Sequence, residues 1–365
     1  MNETALQKVL RLGFSFEELS ATYGINTYKH PTLPLVGFKY DMIDSDKSKS
    51  DPVVRSARGT VLELETYNLV ALPFYRFFNY GEHEESRHFN WGKFTSITKE
   101  DGSLMIVYFY NNEWHVNTSG SFGLSECNFS GKTWRELFWD TAKIDTSLLN
   151  KDCTYIFELC TLYNKVVRLY PESKVYLLGV NSNITLDEYS TGWVVSEAVR
   201  IGVETPEIHS FICYADVENF LAQKETTDPT FEGLVLRDSN DIRVKVKSKT
   251  YLALHHLHDN GNIANPKNIV EFLLKSEKDE ILTYFPEMRE QVEAVESKLD
   301  TELNTLIQIW EDTKEIESQK DFALAIIPKT KFNGILFQIR RDKGDIHLLR
   351  KIWSESGIQI CKVLY

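Results

Sequence analysis

The chain has 365 residues, of which 42% are hydrophobic and 26% charged, a composition typical of a folded globular protein and not of a disordered one. Because a single hydrophobic core rarely grows beyond roughly 250 to 300 residues, this length predicts two domains. The formal net charge of −12 at pH 7 excludes nonspecific coating of nucleic acid, which needs many Lys and Arg contacts to phosphates, but leaves room for a local basic groove.

Cysteine content and hydropathy indicate the cellular compartment in which the protein is expected. The five cysteines include no CxxC pair, which argues against a disulfide framework or a structural zinc site. No apolar run approaches the roughly 20 residues that a membrane-spanning helix requires. The N-terminus has no basic stretch followed by an apolar one, as a secretory signal would have. We therefore expect a cytoplasmic protein that does not associate with membranes.

The first predicted strands cover residues 35–40 and 60–64, where apolar and β-branched residues cluster. Arg58 and Gly59 stand just before the second strand. An arginine at this point either faces a cleft or lies at the surface edge of the sheet, and the local sequence leaves both interpretations open.

Residues 98–103, with the sequence Thr-Lys-Glu-Asp-Gly-Ser, place a lysine beside two acids and a glycine, directly before an apolar strand predicted over 104–110. A lysine amine attacks only when it is deprotonated, a state favoured by burial or by neighbouring cations. Glycine lets the backbone turn and approach a ligand closely. The same short string also occurs as an exposed turn, so this window alone predicts either a nucleophile or a surface turn.

Further elements follow in order. Asn111 and Asn112 predict a hairpin turn, and the spacing of apolar residues predicts a helix over 132–144. Strands are predicted over 154–159, 165–170 and 174–180. The first of these contains Glu158 between two apolar residues, and a carboxylate in such a strand is expected to be paired or bound to a metal ion.

A second acid-and-glycine pair, Glu232-Gly233, precedes another apolar strand. After it, Arg243, Lys245 and Lys247 alternate with valines, which places the three cations on one face of a strand. Aligned cations repel one another unless an anion or solvent lies beside them. The pattern therefore predicts either a bound anion or a solvated sheet face.

After about Tyr251, apolar residues recur at helical spacings, and the rest of the chain is predicted to be all-helical. Residues 329–351 contain seven Lys and Arg residues against two Asp residues. This basic segment either contacts RNA phosphates or forms a solvated helix face.

The order of these windows carries more information than any one of them. The series comprises Arg58-Gly59, Phe77-Phe78-Asn79, Thr98-Lys99-Glu100-Asp101-Gly102-Ser103, Phe157-Glu158, Asn164-Lys165-Val166-Val167, Glu232-Gly233 and Lys245-Val246-Lys247-Ser248. It resembles the covalent nucleotidyltransferases, the superfamily of RNA ligases, DNA ligases and mRNA capping enzymes, and most closely the phage T4 RNA ligase 1 family. The likeness covers most of residues 1–256, whereas the helical tail matches in character only.

The resemblance implies an α+β fold. Residues 1–254 would form an adenylyltransferase domain of antiparallel sheets around an ATP cleft, and residues 255–365 an all-helical domain that helps to select RNA. Lys99 would attack the α-phosphate of ATP to form lysyl-AMP. AMP would then pass to an RNA 5′-phosphate, and a 3′-hydroxyl would displace it. The expected substrate is RNA with these ends, such as a nicked tRNA, and the expected state is a monomer.

The resemblance also assigns roles to single residues. Lys245 and Lys247 would stabilise the charge that develops on the α-phosphate, and Asp101 would orient the lysine or the metal shell. Arg58 would hold the outer phosphates, and Phe157 would face the adenine. Glu158 and Glu232 would contact the ribose and Mg²⁺, or Mn²⁺ in its place. The remaining expected nucleotide contacts are Tyr40, Arg76, Glu100 and Gly102.

Two residues depart from the family pattern. Arg76 stands where lysine is frequent, and Ser119 stands where a basic residue is common, which puts a phosphate contact there in doubt. Two alternative functions are a DNA ligase or capping guanylyltransferase, and a non-catalytic nucleotide- or RNA-binding module. The first usually carries a β-barrel domain where this chain is predicted to be helical, and the second does not need Lys99.

Overall fold

A computed structural model describes residues 2–41, 45, 49–128, 130–256 and 265–365, with the side chains of residues 255, 256, 280 and 284 left aside. The chain divides into two compact units, Met1–His255 and His256–Tyr365. Antiparallel sheets form the first unit and helices the second, which confirms the predicted α+β class.

The N-terminal unit contains helices and strands in alternation. Its helices are α1 (Ala5–Arg11), α2 (Phe16–Tyr23), α3 (Pro52–Ser56), α4 (Trp134–Ala142), α5 (Thr191–Ile201), α6 (Tyr214–Thr227) and α7 (Lys249–His256), with short 3₁₀ turns at Glu84–His88 and Thr146–Leu148. Its strands are β1 (Ile25–Lys29), β2 (Leu35–Tyr40), β3 (Arg58–Glu63), β4 (Leu69–Ala71), β5 (Phe78–Asn79), β6 (Phe94–Thr98), β7 (Ser103–Tyr110), β8 (Glu113–Thr118), β9 (Cys153–Cys160), β10 (Lys174–Ser182), β11 (Ile208–His209), β12 (Gly233–Asp238) and β13 (Arg243–Lys247).

These strands form sheets that we name by position. Sheet I has the order β1-β2-β3-β4, sheet II the order β10-β9-β7-β8, and sheet III the order β11-β6-β12-β13-β5. Neighbouring strands are antiparallel, apart from the parallel pair β13 and β5. Residues 99–102 lead from β6 in sheet III directly to β7 in sheet II, so this turn joins two sheets.

Sheets II and III each pack one apolar face against helices, because apolar residues alternate along their strands. One face of sheet II packs on α4 and α5 through side chains such as Met105, Phe157 and Leu177. In sheet III, Val244 and Val246 face α6 within another cluster. The opposite face of sheet II packs in part on sheet I through Ile106 and Tyr108 and also carries Glu158 of β9, and the opposite face of sheet III carries the lysines of β13.

The hairpin predicted at Asn111-Asn112 is confirmed, with Tyr110 opposite Glu113 and φ angles of 49° and 63° at the two asparagines, as a type I′ turn requires. The helix predicted over 132–144 corresponds to α4.

The strand predicted over 165–170 is wrong. Residues 161–170 form a loop, which we call the anchor loop. The N–H groups of Val167 and Arg168 donate to the Asp101 carboxylate at 2.9 and 2.6 Å. Because these N–H groups bond to a side chain, they do not form a strand ladder.

The C-terminal unit is helical throughout the part that the structure describes. Its helices are α8 (Pro266–Leu274), α9 (Lys278–Tyr284), α10 (Arg289–Thr313), α11 (Gln319–Ile326), α12 (Asn333–Arg341), α13 (Ile346–Glu355) and α14 (Gly357–Leu364), with a 3₁₀ turn at Pro286–Met288. Apolar residues of α10, such as Val292, Leu299 and Leu306, enter one shared core with the other helices. Among the described helices, none combines the length and the apolar character needed to cross a membrane.

Candidate active site

The register of sheet III brings Lys99, Glu232 and Lys247 to one end of the sheet. Thr98 lies opposite Leu234, and Gly233 lies opposite Lys247. Lys99 therefore follows β6 beside the residue that precedes β12, and its amide donates to the Gly233 carbonyl at 2.9 Å. Gly233 has φ of 148°, and a Cβ there would stand 2.2 Å from the Val246 carbonyl oxygen, so the close strand contact requires glycine.

The Lys99 amine is paired with a buried carboxylate. Its Nζ lies 2.8 Å from Oε1 of Glu232, whose side chain is 6% exposed, and Lys247 Nζ lies 3.8 Å from the same oxygen. Two amines thus share one carboxylate at the end of the sheet. Lys245 points to the same face of β13 as Lys247, as the predicted alternation requires.

Glu158 lies on the opposite wall, in sheet II. It is paired in register with Leu104 on β7, and its Oε1 accepts the Gly102 N–H at 3.1 Å. Burial raises the pKa of Glu158 to about 7, an effect that Glu232 adds to and that the positive charges of Lys99 and Arg58 oppose. A carboxyl with this pKa titrates near neutral pH and responds strongly to any added positive charge.

Lys99 and Glu158 line a cavity of about 130 Å³, which we call the lysine cavity, whereas Glu232 and Lys247 lie outside its described lining. Arg58 lines it, and its Nη1 is buried without a hydrogen-bond partner in the described part of the chain. A buried guanidinium N–H that lacks a partner is costly unless a ligand accepts from it. The cavity is lined by Arg58, Phe74, Phe77, Ile97, Thr98, Lys99, Glu100, Leu104, Glu158, Leu178, Val235 and Arg243.

Asp101 has a different environment from the other carboxylates. It is 4% exposed, and its Oδ2 accepts the two anchor-loop N–H groups while its Oδ1 accepts the Tyr251 hydroxyl at 2.8 Å. Its predicted role, to orient the lysine or the metal shell, stays a prediction, and its observed contacts are with the backbone of the anchor loop and with Tyr251. Asp101 fixes the turn that carries Lys99.

Glu100 and Gly102 belong to the same turn. The Tyr170 hydroxyl donates to Glu100 Oε2 at 2.9 Å and accepts the Asp101 N–H at 2.9 Å. Burial raises the pKa of Glu100. At Gly102, a Cβ would stand 2.4 Å from the Leu159 carbonyl oxygen, so glycine allows the turn to pack against β9.

The prediction that Phe157 faces the adenine is wrong. Its side chain is fully buried in the core cluster of sheet II, 5.2 Å from the ring of Phe138. Alternation along β9 is the reason, because adjacent residues point to opposite faces of a sheet and Glu158 faces the cleft.

Tyr40 and Arg76 contact each other. The Arg76 guanidinium is buried and lies 4.2 Å above the Tyr40 ring, a favourable cation–π contact. Neither residue belongs to the described lining of the lysine cavity. Their predicted contact with a nucleotide stays a prediction.

Two cations near the site, Arg243 and Lys39, were not assigned a nucleotide contact from the sequence. Arg243 lines the lysine cavity, lies 4.2 Å above the Phe74 ring, and donates to Glu188. Lys39 lies opposite Arg58 in the register of sheet I, and its Nζ passes 3.2 Å from where a Cβ of Gly120 would stand. Cross-strand neighbours share a face, but the register that pairs Lys39 with Arg58 includes a bulge after Phe38 and is visible only in the structure.

The donor chemistry of the cavity fits a hard divalent cation. Glu158 lines the cavity and Glu232 lies beside it, paired with Lys99, and Mg²⁺ is commonly held by one or two carboxylates together with waters and substrate phosphates. Within the described residues there is no group of three or more Asp, Glu, His or Cys side chains that could hold a metal alone. The two glutamates are therefore a partial ligand set that phosphate oxygens would complete.

Comparisons with known proteins identify relatives of this chain. An RNA ligase of Rhodothermus phage RM378 is 24% identical over 368 residues, which cover 80% of this chain and 81% of the phage protein. A protein of Autographa californica nuclear polyhedrosis virus, provisionally named a bifunctional polynucleotide kinase/RNA ligase, is 28% identical over 276 residues. That match covers 70% of this chain but only 38% of the viral protein.

A solved archaeal ATP-dependent RNA ligase shares the fold, with a TM-score of 0.50, 13% identity, and coverage of 76% of this chain and 75% of the archaeal chain. A family model described as RNA ligase matches residues 56–251, more than half of the chain and the whole segment from β3 to the start of α7. This chain belongs to the RNA ligase family.

Proposed function

We propose that this chain is an ATP-dependent RNA ligase that joins a 5′-phosphate to a 3′-hydroxyl through a lysyl-AMP intermediate on Lys99. One observation carries the proposal. The Lys99 amine pairs with Glu232 at 2.8 Å and lines the lysine cavity, which is also lined by the Glu158 carboxylate and by Arg58, whose buried N–H lacks a partner among the described residues. A nucleophile, an anion-binding group and metal-binding oxygens thus meet in one place.

In the first step, Lys99 Nζ attacks the α-phosphorus of ATP. A P–N bond forms, the bond to the bridging oxygen of the β-phosphate breaks, and pyrophosphate leaves. The amine loses a proton in this step, and Glu232 Oε1 is placed to accept it. Lys247, at the same end of the sheet, offsets the negative charge that develops on the phosphoryl oxygens.

Other residues in and near the lysine cavity would contact the base and the phosphates of the nucleotide. Leu178 and Val235 come from facing sheets and offer apolar surfaces for a flat base. Arg58 would bind phosphate oxygens, for which the planar guanidinium fork is well shaped. Lys39, beside Arg58 on the neighbouring strand, supplies a cation near Gly120, where Ser119 offers none.

Glu158 and Glu232 would hold a divalent cation, Mg²⁺ or Mn²⁺, which would neutralise charge on the α-phosphate. The raised pKa of Glu158 has a simple consequence for this site. At neutral pH the carboxyl is only partly ionised, and a neighbouring cation favours its ionised form.

In the later steps, a 5′-phosphate oxygen of RNA attacks the phosphorus of lysyl-AMP and releases the lysine. A 3′-hydroxyl then attacks the RNA 5′-phosphorus, forms the phosphodiester bond, and displaces AMP. Both steps use the same groups around the phosphorus that the first step uses.

The C-terminal unit offers a basic surface for RNA. The rings of Phe332 and Trp353 lie 5.1 Å apart, which places the start of α12 beside the end of α13. Exposed cations flank these two rings in sequence: Lys329, Lys331, Arg350 and Lys351. We call the two helices the α12–α13 hairpin, and we infer that this end of it contacts RNA phosphates. A nicked tRNA as substrate, a monomeric state and a cytoplasmic location stay predictions.

The test is end joining. The full chain is incubated with ATP, Mg²⁺ and a 5′-phosphorylated single-stranded RNA that carries a 3′-hydroxyl, and circular or joined products are resolved by denaturing electrophoresis. We expect joining with RNA and not with the same sequence as DNA. A second arm replaces the four basic residues of the α12–α13 hairpin by glutamine, which should lower joining of structured RNA and leave lysyl-AMP formation intact.

A further inference from the structure

A second cavity borders the segment that carries Lys99. Its volume is about 430 Å³, within the range of small-ligand sites, and it shares Thr98 and Glu100 with the lysine cavity. We call it the side cavity. A molecule held there lies within one residue of the nucleophile.

The lining of the side cavity combines aromatic rings with both signs of charge. Tyr170, Tyr176 and Phe231 contribute rings. Arg168 lines the cavity but is already paired with Asp228 at 3.0 Å. Lys224 lies above the Phe231 ring at 5.1 Å. Among the described residues, no carboxylate lies within ion-pair distance of Lys224, so this amine is available to an anion.

The carboxylates of the cavity, such as Glu100 and Glu207, are hydrogen-bond acceptors. They suit a ligand that donates from amino groups, as adenine, guanine and cytosine do from their exocyclic nitrogens. An aromatic wall suits the flat face of the same base. A nucleotide combines such a base with a negatively charged phosphate, which matches the rings and carboxylates of the cavity and the amine of Lys224.

Residues 168–170 of the anchor loop line the cavity, and the loop as a whole exposes several large apolar side chains. Its large exposed side chains are Leu162 (58%), Tyr163 (47%), Val166 (47%) and Leu169 (57%). Scattered exposed apolar residues are ordinary, but several on one short loop indicate a binding surface.

The anchor loop is also firmly held. Besides its bonds to Asp101, Asn164 donates to Ser103 Oγ at 2.9 Å and to the Leu159 carbonyl at 2.6 Å. The exposed apolar side chains therefore project from a fixed backbone. This backbone lies beside residues 99–102, which carry Lys99 and which we call the nucleophile turn. A surface fixed in this way suits recognition of a strand whose end must reach Lys99.

We propose that the side cavity and the anchor loop bind single-stranded RNA, with one nucleoside in the side cavity, its phosphate beside Lys224, and neighbouring bases against the exposed loop side chains. This proposal rests on the proposed ligase function, because it concerns where the second substrate of that reaction lies. Bases that are unstacked and free can pack on aromatic and apolar side chains, as single-stranded RNA allows.

The test separates RNA binding from nucleotide chemistry. Protein is first converted to lysyl-AMP with labelled ATP, and transfer of AMP to a 5′-phosphorylated single-stranded RNA is then followed in a single turnover at several RNA concentrations. For Lys224→Glu, we expect normal lysyl-AMP formation and an RNA concentration for half-maximal transfer raised about tenfold, the change produced by about 1.4 kcal/mol. The slope of log RNA affinity against log salt concentration should become shallower by about 0.7, the contribution of one phosphate contact in a single strand.

Matched controls use similar residues elsewhere. Lys151 also lies over a phenylalanine ring, at 4.4 Å from Phe109, and belongs to the described lining of neither cavity; Lys151→Glu should leave transfer unchanged. Leu169→Ser should raise the RNA concentration for half-maximal transfer, whereas Leu12→Ser, at an 82% exposed position, should not. If Lys224→Glu fails to form lysyl-AMP, its transfer to RNA cannot be measured, and the Leu169→Ser transfer curve then tests the proposal.

A crosslinking arm identifies which RNA end occupies the site. 4-Thiouridine is placed at the 5′-terminal or the 3′-terminal nucleotide, and crosslinked peptides are identified by mass spectrometry. Crosslinks within residues 162–176 support the proposal, and the position of the 4-thiouridine that gives them assigns the donor or the acceptor strand.

Transfer curves equal to wild type for both Lys224→Glu and Leu169→Ser, or crosslinks confined to other peptides, would overturn the proposal and leave the ligase function standing. A wild-type chain that forms no lysyl-AMP would instead remove the proposed function itself.

Discussion

Two groups of buried polar side chains flank the nucleophile turn, and they differ in how completely they are paired. On one side, the Asp101 carboxylate accepts three hydrogen bonds, from the anchor loop and from Tyr251. On the other side, the lysine cavity is lined by Glu158 and by Arg58, which keeps a buried N–H without a partner among the described residues. The paired group stabilises the turn, and the under-paired group is ready to bind a ligand.

This difference predicts where mutations affect chemistry and where they affect stability. Substitutions in the lysine cavity, or at Glu232 beside Lys99, should reduce nucleotide transfer more than folding. Substitutions in the Asp101 network should lower the free energy of unfolding first, because they leave buried groups unpaired. The following expectations run from the largest effect to the smallest.

Glu232→Gln should give the largest loss among these variants. It removes the oxygen charge that lies 2.8 Å from Lys99 Nζ, and we expect the rate of lysyl-AMP formation to fall by about 10² to 10³, the usual effect of losing one electrostatic partner in an active site. The rate is measured as label retained on the denatured chain. Glu204→Gln is the matched control, since Glu204 pairs with Lys174 at the same 2.8 Å on the surface. Equal losses in both variants would show that the geometry around Lys99 has no special role.

Arg58→Ala should weaken nucleotide binding. A charge-assisted hydrogen bond contributes about 1.5 to 3 kcal/mol, so we expect affinity for ATP to fall by about 10- to 100-fold, measured by calorimetry with a Lys99→Ala background that blocks turnover. Arg58→Lys should recover only part of the loss, because an ammonium lacks the planar fork. Unchanged affinity in Arg58→Ala would exclude the arginine from the phosphate site.

Asp101→Asn should act mainly on stability. The substitution removes the charge that three donors share, and we expect the free energy of unfolding to fall by about 1 to 3 kcal/mol, measured by urea denaturation. Asp145→Asn is the control, because that exposed carboxylate accepts the Ser147 N–H at 3.0 Å on the surface, and its loss should change stability less. A stable Asp101→Asn variant that cannot form lysyl-AMP would instead assign Asp101 to the chemistry.

The pH dependence of stability should report Glu158. Burial raises the pKa of its carboxyl from 4.5 to about 7, so between these values the folded chain holds a proton that the unfolded chain has released. The free energy of unfolding therefore decreases as pH rises through this window. Glutamine does not titrate in this window, so Glu158→Gln should show a smaller decrease in the free energy of unfolding, measured as Tm against pH. Parallel curves for the two proteins would contradict the raised pKa.

Much of the cleft could be predicted because its residues follow local patterns. Strict alternation placed Lys245 and Lys247 on one face of β13, and an acid-glycine pair marked the start of β12. The same rule of alternation shows why Phe157 was misassigned. If Glu158 faces the cleft, its neighbour in the strand must face the core.

The Asp101 network could not be predicted, because its partners are far apart in sequence. Asp101 and Tyr251 are 150 positions apart, and no periodicity connects them. The anchor loop has the valines and the tyrosine of a strand, yet its backbone donors are taken by a carboxylate. Side-chain acceptors that compete with the strand ladder are invisible to a pattern of apolar residues.

The most direct measurement of the central claim is transfer of label from ATP to Lys99. The full chain is incubated with Mg²⁺ and ATP labelled at the α-phosphate, denatured, and digested, and the labelled peptide is sequenced by mass spectrometry. We predict AMP on the peptide that contains Lys99, no labelling with GTP, and no labelling of Lys99→Ala, whereas Lys93→Ala, an exposed lysine six residues earlier, labels normally. Label on another residue, or full labelling of Lys99→Ala, would contradict the account.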